Sequence, residues 1–143
     1  MLKIISHRGN IDSPNPITEN NPHQVMDVVY AGYDVEVDVW HKDNGIYLGH
    51  DEAKYKIDYC FLVNNHLWLH CKNIEAFVYL SFNDKLHLFY HADGIALTTK
   101  GFLWNAPGLL VEKKSIAVMP ELVDNWDISL ACGVCTDYPY KYK

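Results

Sequence analysis

Short apolar runs that stop on ionisable residues constrain this chain more than any other feature. Leu2–Ser6 runs into His7-Arg8-Gly9, Tyr33–Trp40 carries Glu36 and Asp38 between valines, and Ile46–Leu48 runs into Gly49-His50-Asp51. Apolar runs of this length read as buried strands, so the charged side chains are delivered from strand tips and the loops beside them. In Val35-Glu36-Val37-Asp38-Val39 the two-residue period puts both carboxylates on one strand face and the valines on the other.

The segments between these runs supply the connections. Asn10–Asn21, rich in Pro, Asn, Asp and Ser, reads as a loop. Pro22 opens a helix capped by Asn21, with Val25, Met26, Val28 and Val29 as its apolar face and Gly32 at its end. Asp43-Asn44-Gly45 signals a tight hairpin whose return arm is Ile46–Gly49. Beyond an ill-defined stretch holding Tyr59, Phe61, Leu62 and Val63, the pattern predicts a strand at Leu67–Cys71 and a helix at Ile74–Phe82 capped by Asn73. Leu86–Tyr90, Ile95–Thr98, Ser115–Met119 and Val134–Thr136 are further expected strands, and Gly101–Gly108 is expected to be a turn-rich connection. Alternating strands and helices predict a parallel α/β arrangement. The later strands follow one another too closely for crossover helices, and a full eight-unit barrel takes about 250 residues. The expectation is therefore one domain, residues 1–143, folded as an abridged or irregular (β/α) barrel with a β-hairpin after its second strand.

Composition narrows the function classes. With 49% hydrophobic and 21% charged residues the chain is ordinary globular material. A net charge of −6 and no Lys/Arg stripe argue against nucleic acid as a partner. No apolar stretch reaches the roughly 18 residues of a membrane span, so no stable membrane insertion is expected. Without a signal-like N-terminus the expected location is the reducing cytoplasm, where Cys60, Cys71, Cys132 and Cys135 read as buried small apolar residues. Cys132-Gly133-Val134-Cys135 has redox spacing, but Val134–Thr136 reads as a strand rather than the helix start that lowers a thiol pKa.

The remaining chemistry suits phosphodiester hydrolysis. Two carboxylates on one buried strand face repel unless a cation lies between them, and a hard divalent ion, Mg²⁺ or Ca²⁺, is the natural partner for Glu36 and Asp38. His7 and His50 are the candidate acid and base, in either order. Arg8, in a chain where arginine is otherwise scarce, offers a planar fork for phosphate, and Lys72 adds a point charge at the end of the Leu67–Cys71 strand. Glu19 is placed to orient Arg8 or His7.

This ordered set resembles the glycerophosphodiester phosphodiesterase family. The matching residues are His7-Arg8-Gly9, Glu19-Asn20, Gly32 ahead of Glu36-Val37-Asp38-Val39, Asp43-Asn44-Gly45, His50-Asp51, and Gly133–Pro139 with its Thr136-Asp137-Tyr138-Pro139 close. The resemblance implies an abridged TIM-type barrel with a metal-dependent site at the C-terminal strand ends. It implies His7 and His50 as the acid/base pair, Glu36 and Asp38 as metal ligands, Arg8 and Lys72 as phosphate contacts, and Glu19 as a support. The implied reaction has the substrate's glycerol hydroxyl attack phosphorus, giving a cyclic phosphate that water opens to glycerol 3-phosphate. Where the family carries a third-strand Glu-x-Lys, this chain reads His70-Cys71-Lys72. An imidazole there favours Mn²⁺ or Zn²⁺ over Ca²⁺, and Glu121 and Asp93 are the other carboxylates weighed for the vacancy. The family's small lobe after His-Asp is also reduced to residues 52–66. The expected partner is thus a small phosphodiester or lipid headgroup, with a homodimer as a way to cover open strand edges. A lysophospholipase D-like activity and a catalytically weakened phosphate-binding module are the alternatives.

Overall fold

The computed structural model describes residues 1–143. In chain order the elements are β1 (Lys3–His7), α1 (Pro22–Tyr30), β2 (Asp34–Lys42), β3 (Gly45–Leu48), β4 (Tyr55–Ile57), α2 (Tyr59–Leu62), β5 (Leu67–Cys71) and α3 (Ile74–Leu80). They are followed by β6 (Leu88–Phe89), β7 (Ile95–Leu97), β8 (Leu103–Asn105), β9 (Ser115–Val118) and β10 (Gly133–Thr136). No helix is long and apolar enough to cross a membrane.

All ten strands join one sheet. Parallel pairing links β6, β5, β2, β1, β10, β9 and β8 in that spatial order, and β7 adds to β8 antiparallel. The parallel part of β2 lies between β1 and β5, while its last residues pair antiparallel with β3, which carries β4. The sheet is curled into a half-barrel: Ile5, Trp68, Phe89, Ala96, Trp104, Ile116 and Cys135, from seven different strands, pack together on its concave face. Beyond β7 the chain bonds back to β6, with Thr99 N–H donating to Leu88 O (2.8 Å) and Leu88 N–H to Thr99 Oγ1 (2.9 Å).

The local rules behind this are visible in β2. Val35, Val37 and Val39 are fully buried against the helix layer, where Val25, Val28, Ala76 and Leu80 meet them. Each such valine is worth about 1.5–3 kcal/mol relative to exposure. Asp43 and Asn44 both take positive φ (50° and 60°), the requirement of the turn that joins β2 to β3. Asn21 accepts from the His23 and Gln24 amides to cap α1, and Asn73 accepts from Ala76 to cap α3.

Several expectations need correction. Gly101–Gly108 contains β8, whose Trp104 fills the concave core; a three-residue strand between glycine-rich turns leaves no alternating signal. Residues 52–66 form β4 and the single-turn α2. The hairpin of β2 and β3 is as expected, but β4 and β7 also pair antiparallel. Cys60 is exposed on α2, whereas Cys71 and Cys135 are buried as expected and Cys132 partly so; all four are free thiols. Burial raises the Cys135 thiol well above its ordinary value, reinforced by the charges of Glu36, Asp137 and Glu121, and Gly133–Thr136 is a strand as expected, so no helix start lowers a thiol of Cys132–Cys135.

Candidate functional site

The parallel registers assemble the site at the C-terminal ends of the strands. His7 of β1 pairs with Glu36 of β2, and Asp38 two residues on pairs with His70 of β5. Register partners in a parallel sheet share a face, so these four side chains line the same concave surface. Past His7 the chain turns sharply through Arg8 (φ 56°) and Gly9 (φ 85°). A left-handed arginine is an uncommon, strained conformation, and here it swings the guanidinium across the strand ends. Gly49 brings in His50: a Cβ at Gly49 would lie 2.0 Å from the Glu52 carbonyl oxygen, so no other residue fits this turn.

Arg8 is the hub. Its Nη1 donates to Glu19 Oε2 (3.2 Å), its Nη2 to His50 Nε2 (3.2 Å), and its Nε lies 3.1 Å from Asp38 Oδ2 without good hydrogen-bond alignment. Burial works against the guanidinium charge, but Glu36, Asp38 and Glu19 outweigh it and raise its pKa further. Arginine cannot accept a hydrogen bond. His50 Nε2 is therefore the acceptor, and the ring proton sits on Nδ1, 3.5 Å from Asp38 Oδ2.

His7 is held differently. Its Nδ1 donates to Asp137 Oδ1 at 2.8 Å, which leaves Nε2 for the site. Burial disfavours the charged ring, yet the Asp137 hydrogen bond and the nearby Glu36 charge prevail, and its pKa is raised above 6.5. Asp137, correspondingly, is lowered: burial opposes its charge, while His7 and Asn10 hold it ionised.

Glu36, Asp38 and His70 form the third part. One ligand atom from each lies within 4.8 Å of the others. His70 Nδ1 is 3.2 Å from Asp38 Oδ1 and 3.6 Å from Glu36 Oε1, its Nε2 donates to the His91 carbonyl (3.3 Å), and its ring stacks on Phe89. The two carboxylates that face Nδ1 favour the protonated ring. Despite burial, Asp38 and Glu36 push its pKa up to about 9. Asp38 is held well below its ordinary range by His50, His70 and Arg8, against the cost of burial.

Glu36 Oε2 and Asp38 Oδ1 are buried and lack a well-aligned donor. Two such oxygens beside His70 Nδ1 fit a divalent cation, which would bind with loss of the Nδ1 proton, and the mixed O/N set suits Mn²⁺ or Zn²⁺ as well as Mg²⁺. Glu121 and Asp93 do not complete this set: Glu121 accepts from Thr136 Oγ1 (2.9 Å) and the Asp137 amide (3.0 Å), and Asp93 is exposed. His70 itself stands in the third position.

Of the expected site residues, His7, Arg8, Glu19, Glu36, Asp38, His50 and His70 are brought together. Lys72 follows β5 at the same end of the sheet, half-buried, but its side chain makes no ion pair or hydrogen bond with the cluster. Three further residues were given no role from the sequence. Asn20 clamps Asp38 reciprocally, donating to Oδ2 and accepting from its amide, both at 2.9 Å. Asn10 bridges Glu19 (3.0 Å) and Asp137 (2.7 Å). Asp137 orients His7. Asn20 and Asp137 stand in the motifs Glu19-Asn20 and Thr136–Pro139, and Asn10 is an asparagine of a loop otherwise read as connection.

Two hollows adjoin the cluster. One, of about 260 Å³, is walled by Arg8, Glu19, Asn20, His50, Asp51 and Lys54. The larger, of about 810 Å³, is an outer groove between α1 and β4–α2 that shares Lys54 with the first. Comparisons with protein-family models, curated proteins and solved structures return no match.

Proposed function

We propose that this chain is a metal-dependent phosphodiester hydrolase on an abridged TIM-type barrel, cleaving glycerophosphodiesters to glycerol 3-phosphate and an alcohol. The observation that carries the reading is the convergence at one sheet end of Arg8, two differently held histidines and a buried Glu36–Asp38 pair. Each phosphodiester oxygen needs a positive partner and each reacting oxygen needs a proton carrier, and these residues offer both.

Arg8 has five donors, of which two are committed to Glu19 and His50 and one faces Asp38. One N–H on each terminal nitrogen is left for phosphoryl oxygens, and Lys72 supplies a second charge. The raised pKa of His7 suits it to be the acid that protonates the leaving oxygen from Nε2. His50, neutral with its Nε2 lone pair released once Arg8 turns to phosphate, takes the proton of the attacking glycerol hydroxyl. Opening of the cyclic phosphate by water reverses the two roles. Glu36, Asp38 and His70 would hold the divalent cation, whose chemistry there is to polarise a phosphoryl oxygen.

The outer groove favours a second reading, a lysophospholipase D-like activity. Met26, Tyr55, Ile57, Phe61 and Val63 line it, and Lys54 joins it to the hollow beneath Arg8 and His50, a suitable course for an acyl chain. A phosphate-binding module without turnover is the alternative outside enzyme chemistry. Hydrolysis of bis(p-nitrophenyl) phosphate and glycerophosphocholine by wild type, His7→Ala and His50→Ala separates these. The enzyme reading expects each variant to lose about 10²–10⁴-fold, and it fails if the variants match wild type. Turnover of lysophosphatidylcholine in preference to glycerophosphocholine selects the lipid reading.

A further inference from the structure

The opposite end of the sheet carries a group of charges that the proposed reaction does not use. Lys3 opens β1, Lys85 precedes β6, and Lys100 lies in the turn between β7 and β8. Parallel pairing brings these starts to one rim, far along every strand from His7, Asp38 and His70. There the three lysines surround a hollow of about 250 Å³ walled by Trp68, His87 and Phe102. None of the three ammonium groups has a carboxylate partner: Lys100 Nζ donates to the Asp84 carbonyl (3.0 Å), Lys3 Nζ lies 5.7 Å from the Phe102 ring centre, and Lys85 bonds only through its backbone. Asp34, the one carboxylate that lines the hollow, is engaged elsewhere, accepting from Trp68 Nε1 (3.0 Å) and lying 2.8 Å from His66 Nδ1, while Asp84 beside Lys85 is exposed and outside the lining.

We infer that this hollow at the N-terminal rim is a second anion site, which takes a small multivalent anion such as phosphate or a phosphate monoester on Lys3, Lys85 and Lys100. Among the residues lining the hollow three positive charges face one engaged carboxylate, in a chain whose net charge is −6. Phosphate is the fitting class because tetrahedral oxygens can accept from three separate ammonium groups at once, and Lys serves phosphate as a point charge. The aromatic walls lower the local dielectric and strengthen those contacts. The field is felt within the fold: after burial itself, Lys100 and Lys3 are the charges that hold His87 down to about 4. His87 is therefore neutral at pH 7, its Nε2 already engaged with Thr98 Oγ1 (2.8 Å), and does not compete as a cation. This site stands whether or not the other end hydrolyses phosphodiesters.

The test is a titration of the metal-free chain with inorganic phosphate at fixed ionic strength, followed by amide chemical shifts. Fixed ionic strength matters because exposed charges are screened by salt. The inference expects saturable shifts at Lys3, Lys85, Lys100 and Phe102, with half-saturation near about 1 mM. Lys3→Gln with Lys100→Gln, both exposed positions, should weaken that phase at least about tenfold, while Arg8→Ala leaves it intact. Linear shifts without saturation, shifts confined to the residues around Arg8 and His50, or unchanged affinity in the double glutamine variant would each overturn it.

Discussion

Raising the pH from 6.5 to 8.5 on chelator-treated protein should cost it about 2 kcal/mol of stability, most of it through one side chain. His70 is an imidazolium in the fold because Asp38 and Glu36 face it, and its pKa there is about 9 against 6.5 in an unfolded chain. A group whose folded pKa is raised stabilises fully below its unfolded pKa, and loses that contribution as pH climbs through the folded value. The contribution is about 3 kcal/mol at pH 6.5 and about 1 kcal/mol at pH 8.5. His7, also raised, adds in the same direction. Other strongly shifted groups act mainly outside this window. Below it His87, held near 4 by burial and by Lys100 and Lys3, makes the fold bind fewer protons than the unfolded chain, so stability falls. Above it Cys71, pushed by burial to about 12, resists an ionisation that the unfolded thiol undergoes near 9, and stability falls again. Urea melts at half-unit steps would read the slope, and His70→Gln should flatten most of it. That variant also leaves two buried carboxylates short of a partner, at about 3–5 kcal/mol. If it does not fold, the ring shifts of His70 in the wild type report the same quantity. Stability constant to within about 0.5 kcal/mol across the window, or a His70 ring titrating below 6.5, would refute the reasoning.

Other consequences are as direct. Asp137→Asn removes the charge that keeps His7 protonated, so the alkaline limb of the hydrolysis profile should move to lower pH; an unmoved limb would take His7 out of the acid role. Gly49→Ala puts a methyl 2.0 Å from the Glu52 carbonyl oxygen, so the 49–54 turn must shift and carry His50 with it. Thermal melting should show a loss of about 1–3 kcal/mol, and the His50 ring shifts should change. Leu69→Ala, at a fully buried β5 position against the helix layer, should cost about 2–5 kcal/mol in urea melts without altering the β2–β5 register.

Much of the site could be read because strand parity is a strict rule. Val35-Glu36-Val37-Asp38-Val39 admits only one division into core face and charged face, and His70 shares Asp38's face once β5 pairs with β2. The caps Asn21 and Asn73 and the Asp43-Asn44-Gly45 turn were legible because each acts within three residues of its own position. The second half was harder. β6, β7 and β8 are two or three residues long, and their place is decided by Trp104, Phe89 and Trp68 meeting across the concave face, a contact with no local pattern. Asn10, Asn20 and Asp137 were given no role for the same reason: they act on partners 9 to 130 residues away, and only the curled sheet brings those partners near.

The account turns on whether the carboxylate–imidazole set and the two histidines together hydrolyse a phosphodiester. The direct measurement is ³¹P NMR of glycerophosphocholine with chelator-stripped protein, alone and after adding Mg²⁺, Ca²⁺, Mn²⁺ or Zn²⁺ in turn. The account predicts no change without metal and conversion of the diester signal to a phosphate monoester with at least one of the four, strongest for Mn²⁺ or Zn²⁺ because His70 stands in the ligand set. A diester signal that persists with all four metals, on protein shown to be folded, would contradict it.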